Sequence, residues 1–138
     1  MGACDSTGWN MNVILDRDPT VIARPFFRNV TITNGEIKGD VEDPLGTNIS
    51  DLGGACGPFK TGGVPDMAVI SFVFRLKDVG SEIGIFMTGF AFIGTSGKAE
   101  FRGRWIAFPP GAGTPSAGSA SLFLPAEGDT GTGTGQQT

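Results

Sequence analysis

Three apolar stretches follow one another with only short polar turns between them, and they limit what this chain can fold into. Met67 to Lys77 carries Val69, Ile70, Phe72, Val73 and Phe74 and is apolar on both sides for much of its length. Ile83 to Ile93 places Phe86, Phe90 and Phe92 on one face and Ile85, Met87, Ala91 and Ile93 on the other. Lys98 to Phe108 sets Phe101, Gly103, Trp105 and Ala107 against Glu100, Arg102 and Arg104. β-Branched and aromatic residues at period two mark strands. Asp78-Val79-Gly80-Ser81 and Gly94-Thr95-Ser96-Gly97 supply the turns, so the three strands form an antiparallel meander. Two strands that are apolar on both faces need cover on both, from a closed or two-layered sheet or from another subunit. Gly84 and Gly89 are placed to permit a bulge or strong coiling.

The N-terminal part reads the same way. Trp9, Met11, Val13 and Leu15 alternate with Asn10, Asn12 and Asp16, and Arg17-Asp18-Pro19-Thr20 ends that strand in a turn. Asn34-Gly35 lies between Val30-Thr31-Ile32-Thr33 and Glu36 to Val41, and it is the preferred pair for a two-residue type I′ hairpin. That turn sets Ile32 opposite Ile37, Thr33 opposite Glu36, Thr31 opposite Lys38 and Val30 opposite Gly39, with Val30, Ile32, Ile37 and Val41 on one face.

Elsewhere the pattern fades. Residues 42–65 hold six glycines and three prolines and read as a long Gly/Pro-rich loop, with room for a short strand near 47–52. Residues 109–119 read as a Pro/Gly/Ser linker and Ser121 to Leu124 as a short strand. The Gly/Thr-rich 128–138 segment reads as an extended tail, flexible alone, which a neighbouring subunit could hold as an added strand. The expected architecture is therefore all-β: one antiparallel domain over 1–127, a barrel or sandwich of about six to eight strands, followed by the 128–138 tail.

Composition narrows the chemistry. The chain has no histidine and no tyrosine. Histidine is the usual general base and the commonest metal ligand, so Ser-His-Asp and Cys-His pairs and His-based metal sites are excluded. The acidic runs Asp16-Arg17-Asp18 and Asp40-Val41-Glu42-Asp43 lack the spacing of a calcium loop. Asp129-Thr130-Gly131 matches the aspartic-protease triplet, but only seven residues follow it, too few to frame an active site. No catalytic residue, cofactor or metal is assigned, and the chain is read as a non-enzyme. A net charge of −4 disfavours nucleic acid as a partner. The longest apolar region, 68–93, is broken by Arg75, Lys77, Asp78 and Glu82, so no transmembrane segment is expected. Cys4 and Cys56 are a candidate disulfide, with two free thiols the equal alternative.

The stretch from Met87-Thr88-Gly89 through Gly97-Lys98 to Trp105-Ile106 resembles the central strands of avidin-like barrels. In that family the biotin site depends on a tyrosine, several tryptophans and polar groups at strand ends. This chain has no tyrosine and two tryptophans, so biotin binding is not expected.

The preferred function is a structural subunit that self-associates in a larger assembly, such as a virion decoration or tail component or a surface-layer protein. The alternative is a small-ligand or glycan-binding β-barrel, with the 42–65 loop as a lid. Its partners are copies of itself, other assembly subunits or a small ligand, in a virion or the extracellular space. Candidate ligand or interface residues are Trp9, Phe59, Arg102, Arg104 and Trp105. Arg102 and Arg104 share one strand face, where an anion or cross-strand carboxylates would suit them.

Overall fold

Alternating side chains along long strands force a two-faced sheet, and here the sheet rolls up until its edges meet. The structure is a computed structural model that describes residues 3–4, 6–17, 20–42, 49–59, 67–78, 81–109 and 124–138. Nine strands follow in order: β1 (Ser6–Arg17), β2 (Thr20–Ala23), β3 (Phe26–Thr33), β4 (Glu36–Glu42), β5 (Ile49–Phe59), β6 (Met67–Asp78), β7 (Ser81–Ile93), β8 (Ala99–Phe108) and β9 (Thr130–Gln137). Each strand from β3 to β9 pairs antiparallel with its sequence neighbour, β1 pairs with β3, and β9 pairs back onto β1. The fold is thus a single all-β domain, a closed eight-stranded up-and-down barrel with one extra strand. That extra strand, β2, continues the edge of β1 beyond β3, with Leu15 opposite Ala23 and Arg17 opposite Thr20. The chain passes from β2 to β3 at Pro25, which has no N–H to offer but whose carbonyl accepts from Val13 N at 3.1 Å.

The meander has the register its faces require. Ile70 lies opposite Gly89, Phe72 opposite Met87 and Phe74 opposite Ile85, with Met87 opposite Trp105 on the next strand. Ile70, Phe72, Phe74, Leu76, Ile83, Ile85 and Met87 point inward and are at most 2% exposed. Phe27 meets Phe72 and Phe74, and Phe72 meets Phe101, all edge-to-face with centroids 5.1–5.3 Å apart. That geometry suits the ring quadrupole and fills the middle of the barrel. The ladders on both sides of β7 run without a register shift, so Gly84 and Gly89 make no bulge. Instead Gly89 faces Gly103 in a close backbone approach, and the ring of Phe108 lies over Gly84.

The Asn34-Gly35 hairpin has both central residues at positive φ, 51° and 80°, and pairs Thr33 with Glu36, Ile32 with Ile37 and Thr31 with Lys38. The expected Val30–Gly39 pair is absent. Asn29 adopts φ 53°, and the register shifts between Arg28 and Thr31. This bulge lets Phe27 and Val30, three residues apart, both face inward.

Two other expectations change. The long loop over 42–65 contains β5, eleven residues that pair with β4 through Ile49–Ala55 and with β6 through Gly53–Phe59. Its side chains are too small to show alternation, and main-chain hydrogen bonds define it. The parts of that segment at 43–48 and 60–66, most of the 109–119 linker and residues 121–123 lie outside the described residues. The 128–138 tail is the strand that closes the barrel. β9 takes Met11–Asp16 of β1 on one edge and Glu100–Ile106 of β8 on the other, so its holder is this same chain and not a neighbouring subunit.

The glycines of β9 explain why it fits. Gly131, Gly133 and Gly135 face inward. A Cβ would stand 1.8 Å from Asp16 O at Gly131, 2.8 Å from Met87 Cε at Gly133 and 2.6 Å from Met11 Sδ at Gly135. At the other end of the barrel, Cys4 and Cys56 are bridged with their Cα atoms 5.7 Å apart, which ties the N-terminus to β5.

Gly131→Ala is therefore expected to cost about 3 kcal/mol in urea unfolding, because the Asp16 carbonyl cannot move without breaking the seam. Replacing Cys4 and Cys56 together by Ser is expected to cost about 2–4 kcal/mol by the same measurement, since the bridge closes a long loop.

Candidate functional site

In a barrel of this topology all connections emerge at two ends, and ligands enter at the mouth of such barrels. The connections 18–25, 43–48, 79–80 and 109–129 leave from one end. The Asn34-Gly35 turn, the 60–66 connection and the 94–98 turn leave from the other, beside the Cys4–Cys56 bridge. The first end carries the more numerous long connections and is the better candidate mouth.

Its inner wall is apolar. Leu15, Phe27, Val41, Phe74, Leu76 and Ile83 are each at most 1% exposed, and Leu124, ahead of the turn into β9, joins the same core cluster at 6%. Trp105 stands at this end on β8, 2% exposed. Its Nε1–H donates to Thr132 O at 3.0 Å and to Asp16 O at 3.3 Å, so the indole ties β9 to β1 as well as filling space. The room for that ring is the absent side chain of Gly131, whose Cβ would lie 2.9 Å from Trp105 Cζ2.

Charged groups stay outside. Glu82 is the one buried charged residue among the described residues; it lies on the outer face of β7 and accepts from Arg75 Nη1 at 3.3 Å. Asp129 Oδ2 accepts from Ala126 N at 2.8 Å and from Arg17 Nη1 at 2.7 Å, and Ala107 N donates to Asp129 O. The Asp-Thr-Gly triplet thus builds the turn into β9. Arg28 pairs with Glu42, which occupies one of the acidic runs. Asp16 Oδ1 is buried without a hydrogen-bond partner among the described residues. No group of three metal-ligating side chains occurs among the described residues. No helix there is long and apolar enough to cross a membrane.

The five candidate contact residues do not converge. Trp105 is at the mouth, while Trp9 is half-buried near the start of β1 at the opposite end. Phe59 ends β5 at that opposite end, paired through its backbone with Met67, and its side chain lies outside the described residues. Arg102 and Arg104 point outward from β8 and are exposed. The aromatic residue the sequence underrates is Phe27. Its inward position depends on the Asn29 bulge, and the only local sign was the Phe26-Phe27 run after Pro25.

No family model matches this sequence, and no curated protein matches it. Among solved structures the fold is similar to the X-ray structure of a biotin binding protein from chicken, with a TM-score of 0.56, 15% identity and 99% of each chain covered. The likeness spans nearly the whole of both chains and concerns the fold.

Trp105→Phe keeps the ring but strands two carbonyls at the seam. It is expected to lower stability by about 2 kcal/mol in urea unfolding, more than the half-buried Trp9→Phe.

Proposed function

We propose that this chain is a non-enzymatic binding protein, a β-barrel that takes a compact, mainly apolar ligand at the Trp105 end. One observation carries this reading: the inner wall at that end is built from carbon-rich side chains, with no ionisable group among the described residues facing in. Such a wall rewards removal of apolar surface from water and offers nothing to a charged substrate. The barrel fold it shares with a biotin binding protein supports a binding barrel over the virion or surface-layer subunit.

Chemistry separates this ligand from biotin. A ureido ring asks for paired donors and acceptors inside the barrel. The Trp105 N–H of the inner wall is already committed to two main-chain carbonyls. The ligand then takes the place that Leu124 holds in the core cluster with Leu15, Leu76 and Ile83, and no proton transfer follows. The Cys4–Cys56 bridge fits an oxidising compartment.

The test is a titration of the Trp9→Phe variant, which leaves Trp105 as the sole indole, with the neutral apolar probe N-phenyl-1-naphthylamine. Saturable binding, energy transfer from Trp105 and a rise in melting temperature of about 2–8 °C at saturating probe are expected. Biotin should leave all three readings unchanged. Absence of saturable binding, or binding that Phe90→Asp on the outer face abolishes, would overturn the proposal.

A further inference from the structure

The outer side of the closing seam holds a polar groove. The glycines of β9 all turn inward, so its outward positions, Thr132, Thr134 and Gln136, carry its polar side chains and are exposed. The ladders set them in rows. Asn12 of β1, Gln136 and Glu100 of β8 form one row, and Ile14, Thr134 and Arg102 form the next. These six residues line most of an open groove of about 240 Å³ along β9. Asn12, Glu100, Arg102, Thr134 and Gln136 make no side-chain hydrogen bond or ion pair with another described residue. Glu100 and Arg102 share one face of β8, yet each keeps its charged head free for a ligand.

We propose that this groove binds a neutral oligosaccharide laid across β8, β9 and β1. The donor and acceptor set is the first argument. Two carboxamides and a hydroxyl each donate and accept, the guanidinium only donates, and the carboxylate only accepts. That mixture matches sugar hydroxyls, which donate and accept in turn. The charges of Glu100 and Arg102 cancel, so the groove gives no advantage to an anion. The flanks are the second argument. The Asn12–Gln136–Glu100 row continues on β3 to Phe26 and on β7 to Phe92, both half-buried and facing out. A phenylalanine therefore closes each end of the polar row, the two roughly 19 Å apart along the sheet at ~4.8 Å per strand. Ile14 adds an apolar contact within the groove. A pyranose has a polar edge that takes hydrogen bonds and a C–H face that packs on an aromatic ring, and this row offers both. An open groove of this size is expected to bind with a Kd of about 0.1–1 mM.

This site is independent of the ligand at the Trp105 end, because it lies on the other side of the barrel wall. Affinity electrophoresis of the full chain tests it, in native gels cast with mannan, galactomannan, laminarin or hydroxyethyl cellulose and in a gel cast with heparin. At least one of the neutral polymers is expected to slow the chain at least about twofold against a reference protein. Gln136→Ala and Asn12→Ala should each reduce that retardation at least about threefold. Thr130→Ala, exposed on the same face of β9 but outside the groove, should leave it intact. All three positions point outward, so far-UV circular dichroism of the variants should match that of the parent chain. Gln136→Ala should also leave the N-phenyl-1-naphthylamine titration unchanged, which separates a failure here from a failure at the barrel end. A parent chain that none of the neutral polymers retards overturns the proposal. So does retardation by heparin alone, or retardation that survives both Gln136→Ala and Asn12→Ala.

Discussion

The seam between β1 and β8 is the constraint on which the barrel depends. An open sheet of strands this long would expose two rows of unpaired N–H and C=O groups, and unpaired edges recruit other chains. β9 removes both edges at once by pairing with β1 and β8 over nearly its whole length. It brings almost no apolar side chain to do so. Its contribution inside the barrel is space, which Met11, Met87 and Trp105 occupy. Trp105 then returns the favour by donating its N–H to the carbonyls of Asp16 and Thr132 on the two strands it covers. Closure is therefore a joint property of a strand of glycines and the large side chains that need them.

This division of labour explains which parts of the fold were legible in the sequence. β1, β6, β7 and β8 announce themselves because their own side chains alternate, and their faces came out as the pattern requires. β5 and β9 are defined by neighbours instead. Gly53-Gly54-Ala55-Cys56-Gly57 and Thr130 to Gly135 hold few side chains that could show a period, so a reading based on hydrophobic alternation sees loop and tail. The Asn29 bulge is hidden for another reason. Its signal is one residue at positive φ, and the Asn34-Gly35 register looked complete without it. The composition argument against histidine-based chemistry concerned residue types, so it does not depend on which strands were recognised. The candidate contact residues were chosen by type as well, and topology scattered them between the two ends and the outer face.

The same topology separates two kinds of apolar surface that composition alone merges. Strands β6 and β7 are greasy on both sides, and closure of the barrel satisfies only one. The inward set packs around the Phe27–Phe72–Phe101 cluster and leaves the barrel end lined with carbon. The outward set, from Val69 to Ile106, is left facing water. A chain with a low charged share, 17%, has few groups available to dilute that outer patch. The two apolar surfaces thus lie on opposite faces of the same two strands, and a change to one face need not disturb the other.

The glycines of β9 and β5 sit in opposite surroundings, the first crowded and the second open. On β9 every inward glycine is crowded: an added carbon would run into Asp16, Met87 or Met11. Those positions record packing completed within one chain. On β5 the outward Gly53 meets nothing, and Gly57 meets only the Val69 carbonyl at 4.0 Å. A strand interior pays an entropic penalty of about 0.5–1 kcal/mol for each glycine relative to alanine, and on β9 the packing offsets it. On β5 nothing inside the chain offsets it at Gly53.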